Sequence, residues 1–113
     1  MTDLTPEDAK LVTLARATRA RTGAAEGAAI RDADGRTYAA ASVVLPSLAL
    51  SALQVCVAMA VASGSHGLEA AVLLGDAEEV AASDLAVLSE FGGSGVVVHR
   101  GDARGAVVAT TTT

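Results

Sequence analysis

The hydrophobic and polar positions of this 113-residue chain divide it into short, punctuated segments. Thr5-Pro6-Glu7-Asp8 has the form of a helix start, with Thr5 as cap, Pro6 at the first helical position and acids in the first turn. Leu11, Leu14, Ala15 and Thr18 then recur at helical spacing until Thr22-Gly23 ends the run. Alternation is poor over residues 26–44, but Asp32-Ala33-Asp34-Gly35 lies between two apolar flanks and predicts a hairpin turn joining strands at 24–31 and 36–43. After Pro46, residues 47–63 are rich in Ala and Leu and predict a long buried helix ended by Gly64 and Gly67. Residues 70–74 form an apolar run bounded by Glu69 and Gly75-Asp76, as a central strand does. A helix at 83–91 stops at Gly92-Gly93, a strand covers 95–99, and a turn at 100–105 leads into a last strand at 106–110. The terminal threonines, 110–113, read as a frayed end. The order is α-β-β-α-β-α-β-β, which predicts an α/β fold: a mixed sheet of about five strands with helices packed on it, in one domain spanning 1–113.

Between Thr37 and Leu68 there is no Asp, Glu, Lys or Arg. A membrane span needs about 20 mostly apolar residues. Here Pro46 divides the run, Ser42, Ser47, Ser51, Gln54 and Ser63 dilute it, and no basic cluster flanks it. The expectation is no membrane contact, and a central helix buried on most of its faces. The N-terminus, Met1-Thr2-Asp3-Leu4, is acidic and lacks the apolar core of a secretory signal.

Hydrophobic residues make up 51% of the chain and aromatics only 2%, so the core is built from Ala, Val and Leu. A net charge of -5 argues against nucleic acid as a partner. Lys10, Arg16, Arg19 and Arg21 gather on the first helix as its solvated face, and Tyr38 and Phe91 alone make no platform for stacking bases. A single cysteine permits no internal disulfide and suits a reducing, cytoplasmic setting.

Candidate chemistry is sparse. Cys56, His66 and His99 are the only soft metal donors, and none lies within metal-ligand spacing of another. Cys56 sits among Val, Ala and Met and reads as a buried inert thiol. His66 reads as a solvated loop residue and His99 as the close of a strand. Gly92-Gly93-Ser94-Gly95 joins a helix to a strand, the reverse of the order a phosphate loop uses. Asp84, beside Ser83, is expected to cap the helix it opens.

Residues 80–93, VAASDLAVLSEFGG, resemble the P-C-x-x-C-x-x-V-L-x-E-F helix of the small zinc-dependent cytidine deaminases. Val87-Leu88-Ser89-Glu90-Phe91-Gly92 fits the tail of that pattern, whereas Val80, Ala81 and Asp84 stand where the proline and the two cysteines belong. Gly27-Ala28-Ala29-Ile30, Asp34-Gly35-Arg36 and Tyr38 are similar to the family's hairpin, and the resemblance extends over residues 11–110. Counting on from that hairpin puts the ligand-x-glutamate triplet at Leu53-Gln54-Val55, and the asparagine and glutamate that hold ribose at Ser42 and Val44.

The resemblance implies a cytidine deaminase-like three-layer fold. It also implies a site in which Leu53, Ala81 and Asp84 replace the zinc ligands and Val55 the catalytic glutamate. The expectation is therefore no zinc and a non-catalytic protein acting as an oligomeric scaffold or regulatory module, paired with itself or an unidentified protein. A dimer or tetramer through the helix at 47–63 follows from how small cytidine deaminases assemble. The alternatives are a nucleoside-binding protein, with Ser42 as its remaining polar contact, or a cytidine deaminase with an altered site.

Overall fold

A computed structural model describes residues 4–113. Helix α1 (Pro6–Thr22) starts as its sequence dictates: Thr5 Oγ1 accepts from the Asp8 N–H at 3.1 Å, and Pro6 fills the first helical position. It ends on Gly23, whose φ of 67° lets its N–H return to the Arg19 carbonyl at 2.9 Å. Strands β1 (Gly27–Asp32) and β2 (Thr37–Ala41) form the expected hairpin. Its turn is held by Asp32, whose carboxylate accepts from the Asp34 and Arg36 N–H groups at 2.9 Å each.

The next segment differs from expectation. Residues 47–51 do not belong to the long helix; β3 (Val43–Leu45) and β4 (Leu48–Leu50) pair antiparallel in a separate two-stranded hairpin around Pro46-Ser47. Helix α2 is Ala52–Ala62. Ser51 and Gln54 close a capping box ahead of Ala52, and the proline turn upstream leaves Leu48-Ala49-Leu50 room to pair as a strand.

Strand β5 (Leu68–Leu74), helix α3 (Ala82–Gly92), β6 (Val97–Gly101) and β7 (Val107–Thr112) complete the chain. The main sheet runs β2-β1-β5-β6-β7, with β5 and β6 parallel across the α3 crossover and the other neighbours antiparallel. The terminal threonines are not frayed. Thr110, Thr111 and Thr112 pair with His99, Val98 and Val97, and Thr113 exchanges backbone bonds with Gly95 and Val96.

Side chains of β5 alternate between two cores. Ala70, Val72 and Leu74 pack with Ala29 beneath Leu11 and Ala15 of α1. Ala71 and Leu73 pack with Ala28, Ile30 and Val98 beneath Leu53, Cys56 and Ala60 of α2 and Leu88 of α3. Helices on both faces of the sheet make three layers, and they explain why the central strands read as continuous apolar runs. Gly27 lets α1 lie directly on β1: a Cβ there would collide with the Ala15 carbonyl oxygen and the Arg19 Cβ. Among the described residues, no helix is long and apolar enough to cross a membrane.

Candidate functional site

The N-termini of α2 and α3 meet on one side of the sheet. At α2, Ser51 Oγ accepts from the Gln54 N–H at 3.1 Å, Gln54 Oε1 accepts from the Ser51 N–H at 2.9 Å, and Glu26 Oε1 accepts from the Ala52 N–H at 3.3 Å. The same Ser51 hydroxyl donates to Asp84 Oδ1 at 2.6 Å, so its one proton is spent on that carboxylate. Asp84 lies in the first turn of α3 and is only 3% exposed.

Asp84 does not cap its own helix. The cap position is Ala81, no side chain bonds there, and the Asp84 carboxylate is turned instead to α2. Its partner is 33 residues away in sequence, beyond the reach of a local capping rule.

Of the residues singled out in the sequence, Asp84 reaches the junction and Ala81 stands exposed at the start of α3. Leu53 does not reach it: it is 1% exposed, inside the core between α2 and the sheet. Val55 is half-buried and packs on the edge of that core. Ser42 and Val44 do come together, in a cleft of about 380 Å³ that also takes in Glu26, Leu50 and Ser51. Ser42 Oγ accepts from the Glu26 N–H at 3.2 Å, while Val44 is 84% exposed on the hairpin. Sequence reasoning missed Glu26 and Ser51. The S-x-x-Q spacing of Ser51 and Gln54 was the available signal for the second; for Glu26 there was none.

The three soft donors sit apart. Cys56 is buried in α2, its thiol donates to the Tyr38 carbonyl at 3.6 Å, and burial pushes its pKa up to about 12. His66 is exposed in the loop before β5. His99 is buried on the α1 side, with Nε2 2.9 Å from Asp8 Oδ2 and Nδ1 2.9 Å from Thr110 Oγ1. Among the described residues, no group of three or more His, Cys, Asp or Glu side chains is placed to hold a metal ion.

A three-layer α/β domain with two helix N-termini converging beside a cleft defines the class. The chain matches the model of the cytidine deaminase-like family over residues 4–105 and belongs to that family. In structure it is similar to the cytidine deaminase from Burkholderia pseudomallei, with a TM-score of 0.81 and 21% identity over 96% of this chain and 93% of that one. The Mycobacterium leprae cytidine deaminase follows with a TM-score of 0.74 and 22% identity, covering 96% and 94% of the two chains. For the Mycobacterium tuberculosis cytidine deaminase the values are 0.69 and 27%, over 79% and 80%. No curated protein sequence matches the chain.

The family implies a zinc ion held by a His or Cys and two Cys, with a nearby Glu moving protons. The residues at this junction do not fit that group. Ser51 and Asp84 are committed to each other, and Ala81 carries no donor atom.

Proposed function

We propose that this chain is a non-catalytic member of its family, acting as an oligomeric scaffold or regulatory interaction module. The observation that carries this reading is the junction of α2 and α3. There Ser51, Ala81 and Asp84 present a hydroxyl, a methyl and a carboxylate, the hydroxyl and carboxylate are hydrogen-bonded together, and Gln54 and Glu26 accept from backbone N–H groups at the start of α2. Metal-bound water supplies the nucleophile in zinc hydrolases at neutral pH, and neither Leu53 nor Val55 can carry a proton in place of the glutamate.

An interaction role is supported by the β3–β4 hairpin. Val44, Leu45 and Leu48 are exposed on it, and Val61 is exposed on α2. These residues lie within the charge-free stretch 37–68 of a chain with net charge -5. A second copy meets these apolar side chains without like-charge repulsion between them. The single, deeply buried thiol suits a reducing, cytoplasmic compartment.

The test is elemental analysis of purified protein together with ammonia release from cytidine and deoxycytidine. The expected result is no stoichiometric metal and no ammonia. About one zinc per chain with turnover replaces this reading by that of an active deaminase with an altered site.

The cleft favours a second reading, nucleoside binding. Glu26 and Ser42 give it a polar edge, and Val43, Val44 and Leu50 an apolar wall. Calorimetric titration with cytidine and uridine separates the two: saturable binding without turnover supports the nucleoside binder.

A further inference from the structure

Helices α2 and α3 are both short, 11 residues each, and both bring a positive dipole end to the same junction. Two such ends repel unless something of opposite charge lies between them. α3 has no side-chain cap of its own. The Asp84 carboxylate supplies the negative charge, and Ser51 anchors it: the hydroxyl is held by the Gln54 N–H and passes its proton-donor end to Asp84 Oδ1 at 2.6 Å. That length is typical of a strong O–H···O⁻ bond to a charged acceptor. Glu26, bonded to the Ala52 N–H, adds a second negative group on the α2 side.

We propose that the Ser51–Asp84 hydrogen bond has taken over the fastening task of the metal, joining α2 to α3 where a zinc ion joins them in the catalytic members of the family. The inference rests on the non-catalytic reading above. The geometry also decides which residues form the vacated corners: Ser51, Ala81 and Asp84, not Leu53, which is closed inside the core. The chain has thus exchanged a site that depends on an external ion for one completed by its own side chains.

Two experiments test this. The first is a double-mutant cycle. Ser51→Ala and Asp84→Ala should each lower the melting temperature by about 5–10 °C, and the double variant by clearly less than the sum, because either single change already breaks the bond. Ser51→Thr, which keeps the hydroxyl, should retain most of the stability, and a chelator should leave the wild-type melting temperature unchanged. Additive losses, or no loss at all, overturn the proposal.

The second experiment keeps it testable if the alanine variants do not fold. Ser51→Cys, Ala81→Cys and Asp84→Cys in one chain should take up about one zinc, with a metal-dependent rise in melting temperature. The same triple with Leu53→Cys in place of Ser51→Cys should not. Uptake by the second triple and not the first refutes the assignment of Ser51. Stoichiometric zinc in the wild-type protein removes both this proposal and the function it rests on, whereas a metal-free wild type with an additive cycle removes only this proposal.

Discussion

His99 and Asp8 are 91 residues apart in the chain, and Nε2 of one lies 2.9 Å from Oδ2 of the other. The contact joins β6 to the first turn of α1. Arg31 of β1 adds its NH2 group 2.9 Å from Asp8 Oδ1 and reaches Glu69 of β5 through Nε at 2.5 Å. Thr110 of β7 completes the arrangement from the other side of the imidazole. One polar network therefore spans α1 and four of the five strands of the main sheet.

This network makes stability depend on acid. Burial alone would raise the Asp8 pKa, but hydrogen bonds and charge from His99 and Arg31 more than offset it and hold the carboxyl below its ordinary value. Asp32 is also lowered: burial raises it, and the Ser65 hydroxyl, the Arg36 and Asp34 N–H groups and Tyr38 outweigh that. A depressed carboxyl stabilises the fold fully above its unfolded pKa and ceases to as pH falls through the folded value. Thermal melts should hold steady down to about pH 4 and decline steeply below it. In Asp8→Asn the decline should be shallower, with a lower plateau.

Leu53→Ala should destabilise the protein by about 2–5 kcal/mol, because the side chain is enclosed by the core and its removal leaves a cavity. Val44→Ala, on the exposed hairpin, should change stability by less than about 0.5 kcal/mol. Urea unfolding of the two variants checks the contrast.

At Gly27 the obstacle is contact. Gly27→Ala places a methyl against the Ala15 carbonyl oxygen and Arg19 Cβ, where α1 backbone cannot yield cheaply. The expected cost is about 1–3 kcal/mol, read as a lowered denaturation midpoint.

Self-association should pass through the hairpin. Val44→Asp with Leu48→Asp should lower the mass measured by light scattering to that of a monomer while leaving the circular dichroism spectrum native. Val57→Asp should instead unfold the chain, since Val57 is 7% exposed and faces the sheet.

The thiol of Cys56, pushed up to about 12 by burial, should resist a thiolate-selective disulfide reagent at pH 8 in the native state and react at once in guanidinium.

Where local chemistry decides structure, the sequence was legible. Thr5-Pro6 and Gly23 marked both ends of α1, Asp32-Ala33-Asp34-Gly35 marked the β1–β2 turn, and the apolar run before Gly75 marked β5. Where one pattern served two structures, it was not. Leu48, Leu50 and Leu53 continue a helical composition, yet the first two lie in β4, because the proline turn and the Ser51 capping box divide the segment. Contacts between distant elements were beyond reach: Asp84 looked like a cap and His99 like a strand end, and each finds its partner far away in the chain. Of the positions located by counting from the hairpin, Ser42 and Val44 line the cleft, Leu53 lies in the core and Val55 packs at its edge.

Beneath α1, Leu11 and Ala15 rest on Ala29, Ala70, Val72 and Leu74, a contact without an aromatic ring. Apolar contact of this kind is non-directional and by itself holds a helix along a sheet only loosely. The Asp8 carboxylate removes that freedom, since a slide along the sheet would strip it of His99 and Arg31 at once and leave a buried carboxylate without either partner. In a domain almost without aromatic rings, the docking address of the first helix is written in charge.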